Sequence, residues 1–195
     1  MVLLLTLALA IFITPSDLSA DNRPPPTIAI IIDDLGNHEA LGDRLINIPA
    51  PLTLAFLPLR KHTKMQANKA FHSGKEIMLH APMENTRNIP LGAAGLKSHM
   101  STTELLSIFR RALRSVPYIS GVNNHMGSVL TQNRRAMNAL MNELRAYPLY
   151  FVDSRTTASS LAQSTAIRYQ IPALGRDIFL DNNVKTINIH KQFRK

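Results

Sequence analysis

The sequence predicts an α/β domain built on a parallel sheet. Short apolar or β-branched runs alternate with longer amphipathic stretches between residues 27 and 174, six strands in all, which is the pattern of strands joined by right-handed helical crossovers. The first run is apolar without interruption, as in strands buried on both faces. Acidic and histidine side chains fall where the runs end, and parallel α/β folds gather their chemistry at the carboxyl ends of strands. An open doubly wound sheet and a closed barrel both fit.

Residues 27–32 form the first expected strand, and the stretch after Gly36 a short helix. Residues 52–57 form the second strand, followed by a polar helix over 60–73 that Gly74 ends. Residues 76–80 form the third, and a long loop with two prolines and a Gly-Ala-Ala-Gly turn covers 81–100. Ser101-Thr102-Thr103-Glu104 then matches a capping box, and Leu105, Ile108, Phe109, Ala112 and Leu113 recur at helical spacing. The fourth strand is expected at 118–122, a helix at 133–145, the fifth strand at 149–153, a helix at 160–170 and the sixth strand at 171–174.

A chain of 195 residues accommodates one domain with a sizeable core, and 45% hydrophobic with 18% charged residues argues against extensive disorder. Residues 1–20 open with an apolar run from Val2 to Ile13, too short for a confident transmembrane helix. They end in Leu18-Ser19-Ala20, small residues that suit a signal peptidase. They read as a signal peptide, 21–26 as a stiff Pro-rich spacer and 27–195 as the domain, so the protein is expected to be exported to the periplasm or beyond and to keep no stable membrane span after cleavage. No Lys or Arg precedes the apolar run, which leaves an uncleaved anchor or a misplaced start as the alternatives. Cysteine is absent, so disulfides, thiolate ligands and a Cys nucleophile are excluded. The net charge of +9 invites a nucleic-acid reading. The basic residues are instead spread over helices, as at Arg110, Arg111, Arg114, Arg134, Arg135 and Arg145, without the aromatic interleaving that stacks bases, so no nucleic-acid partner is expected.

The polar residues at the strand ends are Asp33 and Asp34 after the first strand, His80 after the third, His125 beyond the fourth, and Asp153 with Arg155 after the fifth. Adjacent carboxylates at an apolar strand mouth are costly unless a cation neutralises them or one is protonated. One of the two aspartates is also accounted for as a helix cap, and each histidine, taken singly, as a ring satisfied by nearby backbone. Three separate strand ends presenting possible ligands favour a metal. Asp with two His and an open position suits Zn²⁺, and also Co²⁺, Mn²⁺ or Ni²⁺.

Four segments carry a resemblance: Ile-Ile-Ile-Asp33-Asp34-Leu-Gly, Leu-His80-Ala-Pro-Met-Glu84, Asn123-Asn124-His125-Met-Gly127-Ser128 and Phe-Val-Asp153-Ser-Arg155-Thr. In this order, over about residues 27–182, they resemble the divergent polysaccharide deacetylases, a branch related to the carbohydrate-esterase deacetylases. The resemblance implies a distorted (β/α) barrel of the polysaccharide deacetylase type. It also implies a divalent metal on Asp34, His80 and His125, with Asp33 in the place of the general base. Family members usually continue past a segment like Phe179–Asn182 to a further strand bearing Gly-His-Pro. His190 does not match that motif, so the last strand and the general acid are expected to be missing and the domain C-terminally incomplete.

The expected function is metal-dependent deacetylation of an N- or O-acylated envelope polysaccharide or peptidoglycan-type glycan, with Asp33 taking a proton from the attacking water. Asp153, Arg155 and Asn124 are candidates for substrate binding or support of the ligands, and Asp153 with Arg155 equally suits a structural ion pair. Glu84 reads as a surface charge. The competing reading is a non-catalytic envelope glycan-binding protein that retains the metal pocket. Oligomeric state does not follow from the sequence.

Overall fold

The computed structural model describes residues 27–195, so the expected signal peptide and spacer lie outside the described residues. Strands β1 (Ile31–Leu35), β2 (Thr53–Phe56), β3 (Glu76–Met83), β4 (Ile119–Met126), β5 (Tyr150–Asp153) and β6 (Ala173–Gly175) form one sheet. Every neighbouring pair is parallel and the spatial order is the sequence order, β1 to β6. A doubly wound sheet reverses direction part-way, and this one does not; it winds as a barrel wall winds. Among the described residues β1 and β6 each have a single neighbour, so the wall is open between them.

Sequential right-handed crossovers put the helices on one face. Helices α1 (Glu39–Ile46), α2 (Thr63–His72), α3 (Thr102–Ser115), α4 (Arg134–Leu144) and α5 (Ala162–Arg168) occupy the crossovers, and α6 (Thr186–Phe193) follows β6. The main core lies between helices and sheet: Ile46, Ala67, Leu105, Phe109, Leu140 and Ala166 meet Leu54, Phe56, Ile77, Leu79, Val122 and Phe151. Side chains alternate along a strand, so the residues between these point to the other, inner face. There Ala55, Met78 and Val152 form a small second cluster with Ile31 and Tyr150 against it. The capping box is realised: Ser101 Oγ accepts from the Glu104 amide at 3.2 Å at the start of α3. Asn133 Oδ1 accepts from the Ala136 amide at 3.0 Å at the start of α4.

Three strands run further than the apolar pattern predicts. The β1 ladder begins at Ile31 and not Thr27, is interrupted by an irregularity at Asp33 and Asp34, and resumes at Leu35. β3 continues past His80 to Met83, which narrows the expected loop, and β4 continues past Val122 to Met126. In β3 and β4 backbone pairing persists where the inner face changes from apolar to polar, and in β1 it resumes after the two aspartates, so a reading that ends strands at the last apolar residue stops too soon. A short 3-10 turn at Leu130–Gln132 and helix α6 were not expected.

Candidate metal centre

The register of β3 and β4 builds the site. His80 pairs with Asn123 and Pro82 with His125, so His80, Asn123 and His125 all lie on the inner face at the carboxyl end of the sheet. Asp34 reaches the same place from an irregularity in β1, where its φ of 66° turns the backbone into the left-handed region. His125 Nδ1 lies 2.9 Å from Asp34 Oδ1, His80 Nε2 lies 3.4 Å from the same oxygen, and the two ring nitrogens are 3.1 Å apart.

That triangle fits a metal. Ligand bonds of about 2.1 Å at tetrahedral angles place ligand atoms about 3.4 Å from one another, and the three edges of 2.9, 3.1 and 3.4 Å approach that spacing. The donor set of one carboxylate and two imidazoles is that of Zn²⁺ and similar divalent ions, with a position left open.

Asn123 decides which nitrogen of His80 is available. Its Nδ2 donates to Asp33 Oδ1 at 2.8 Å, since a carboxylate only accepts, and this turns Oδ1 toward His80 Nδ1 at 2.7 Å. Nδ1 therefore carries a hydrogen and donates it, and Nε2 faces Asp34 and His125. Burial of the His80 ring opposes a positive charge there, yet the nearby Asp33 and Asp34 carboxylates and Asn123 outweigh it and raise the pKa. Hydrogen bonds from His125 and His80 hold the Asp34 carboxyl well below the usual carboxylate range despite its partial burial. A field that favours a proton on a buried imidazole also favours a divalent cation beside it. Asp33 is not a vertex of the triangle. Its side chain is one-third exposed, with Oδ1 3.5 Å from His80 Nδ1, and it lines an open pocket of about 360 Å³ together with Asp34, His125, His38 and Arg60.

The chain matches the divergent polysaccharide deacetylase family over residues 30–195. It belongs to that family. It is 36% identical over 168 residues to the uncharacterized protein YibQ of Escherichia coli K12, covering 86% of this chain and 53% of that protein. It is 30% identical over 167 residues to an uncharacterized protein of Haemophilus influenzae, covering 86% of this chain and 60% of that one. The chain thus spans between half and three-fifths of the length of these curated relatives. A crystal structure of an uncharacterized protein of Agrobacterium tumefaciens C58 superposes with a TM-score of 0.80 at 23% identity, covering 85% of this chain and 69% of that one, and shows the same fold.

The other residues singled out in the sequence of this family member lie apart from the triangle. Val152 pairs with Asn123 on the inner face, so Asp153 points into the helix layer. There Oδ2 accepts from Ser160 Oγ at 2.7 Å and from the Gln163 amide of α5 at 3.3 Å, and Oδ1 from the Arg155 amide at 2.8 Å. Arg155 donates to Gln163 Oε1 at 2.7 Å. Asn124 is one residue out of phase with His125, and its amide ties the Met126 carbonyl and the Ser154 amide at 2.6 and 2.9 Å. Glu84 accepts from the Ser98 amide at 2.7 Å and anchors the loop after β3. Sequence reasoning passed over Asn123, His38 and Arg60. The available signal for Asn123 was a buried polar residue inside a strand, and for Arg60 its position just after β2.

Proposed function

We propose that the chain is a metal-dependent hydrolase that removes an acyl group from an N- or O-acylated envelope polysaccharide, including peptidoglycan-type glycans. The observation that carries this reading is the Asp34–His80–His125 triangle with a second carboxylate, Asp33, beside it and outside it. Membership of a deacetylase family supports an acylated glycan as the substrate class.

A divalent ion held there supplies Lewis acidity toward an acyl carbonyl and makes a nearby water more acidic. Asp33 takes the proton of the attacking water. Its Oδ1 is held by Asn123, which aims the carboxylate at the pocket without protonating it. Asn123 keeps the His80 hydrogen on Nδ1, which would leave Nε2 free to hold the ion. The open pocket admits a chain end or a loop of polymer from the solvent side.

Metal analysis of purified protein, combined with acetate release from a panel of acetylated glycans, tests the reading. About one Zn²⁺ or similar ion per chain and acetate release are expected. Asp33→Asn keeps the metal and slows release by roughly 10²–10⁴-fold, the span of general-base catalysis, whereas Asp34→Asn loses the metal. Metal-loaded protein that releases no acetate from any acylated glycan overturns the hydrolase and leaves a glycan-binding protein.

Export to the periplasm or the medium belongs to the same proposal, because the substrate class lies outside the cytoplasm. Amino-terminal sequencing of protein made in its host is expected to begin at or near Asp21, and an intact Met1 on cytosolic protein overturns it. Among the described residues no helix is long and apolar enough to cross a membrane.

A further inference from the structure

Arg60 lines the same pocket as Asp33, Asp34 and His125 but has no part in the site as described above. It leaves the carboxyl end of β2, and its side chain is seated between two glycines whose backbones lie in the left-handed region. A Cβ on Gly36 (φ +108°) would run into Thr63 and lie 3.3 Å from Arg60 Cβ. A Cβ on Gly92 (φ +80°) would lie 2.6 Å from Nη2 and 2.8 Å from Nη1. Gly92 therefore makes room for the head of this side chain, while Gly36 makes room chiefly for Thr63 and lies beside the Arg60 stem.

The seat leaves the guanidinium almost unengaged. Of its five N–H donors, one reaches an acceptor among the described residues, Leu91 O, at a long 3.4 Å. That distance is beyond the usual range for a hydrogen bond and is a weak strap for the loop after β3. The ion pairs among the described residues do not include Arg60. The pocket's own acidic groups are engaged elsewhere: Asp33 accepts from Asn123, and Asp34 lies against His80 and His125. A guanidinium with free donors, at the wall of a pocket, has the planar fork that suits the paired oxygens of a carboxylate.

We propose that Arg60 binds a carboxylate of the substrate close to the acyl group removed at the triangle, so that the glycan is an acidic one, carrying uronic-acid or lactyl-ether carboxylates beside its acylated positions. The proposal rests on the acylated-glycan reading above but not on turnover.

The test is a calorimetric titration of Zn²⁺-loaded protein with tri-N-acetylchitotriose and with the same trisaccharide oxidised to carboxylates at C6. Wild-type protein is expected to bind the carboxylated sugar roughly 10–100-fold more tightly, the worth of a charge-assisted pair. Arg60→Gln is expected to erase that preference, and Arg60→Lys to keep only part of it, because an ammonium is a point charge without the fork. Thermal unfolding and Zn²⁺ affinity of Arg60→Gln report whether the fold is intact; if it is not, the wild-type preference and Arg60→Lys decide. Equal binding of the two sugars, binding of neither, or a preference that survives in Arg60→Gln overturns the proposal. Absence of acetate release from the whole panel of acylated glycans, with the Arg60-dependent preference intact, removes the hydrolase reading and leaves carboxylate recognition by Arg60 standing.

Discussion

Asn123 accepts from His80 Nδ1 at 2.7 Å and donates to Asp33 at 2.8 Å, so one buried amide orients both a ligand and the candidate base. Asn123→Leu keeps the volume and removes both bonds. His80 is then free to carry its hydrogen on the wrong nitrogen, and loss of such a supporting partner typically costs 10–100-fold in metal affinity. A Zn²⁺ competition titration against a chelating dye checks it; unchanged affinity would mean that the Asp34 and His125 contacts alone orient the ring. Asp34, His80 and His125 could be named from sequence because each stands at a strand end and each is of a ligating type. Asn123 stands in the same motif as His125, but its role exists only once strands 43 residues apart in the chain are brought into register.

Strand alternation separates the residues that meet from those that do not. His80, Asn123 and His125 share the inner face, while Asn124 and Asp153 each fall one step out of phase and bind backbone. Asp153→Ala is accordingly expected to lower stability by about 1–3 kcal/mol, the cost of leaving the Arg155, Ser160 and Gln163 donors without their buried acceptor, and to leave Zn²⁺ affinity unchanged. Denaturant unfolding and the same dye titration measure the two effects, and a drop in affinity would show that α5 supports the triangle. Helices were readable wherever capping chemistry and a 3.6-residue period agreed. In α3, Ser101→Ala removes the bond to the Glu104 amide; it should cost about 1 kcal/mol and lower Tm by about 2–4 °C. Strand ends were less readable than helix ends because the inner face turns from apolar to polar before the ladder stops, and only pairing with neighbours carries β1, β3 and β4 to their last residues.

The order β1 to β6 brings to one end of the sheet three side chains that are 91 residues apart from first to last, Asp34 to His125. An ion bound at the candidate site would join β1, β3 and β4, and its binding energy would add to the stability of the whole sheet, because the unfolded chain has no comparable site. At a free metal concentration about 100 times Kd the gain is about 2.7 kcal/mol. For a domain of this size that corresponds to a rise in Tm of about 5–11 °C. Thermal unfolding with Zn²⁺ and with excess chelator measures the difference directly. Three variants fix its origin. Asp34→Asn and His80→Ala should each remove most of the shift, since a three-ligand site holds an ion poorly with two. Asp33→Asn should keep it, because Asp33 lies outside the triangle. A shift of equal size in Asp34→Asn would place the ion elsewhere, and with it the chemistry assigned to this end of the sheet.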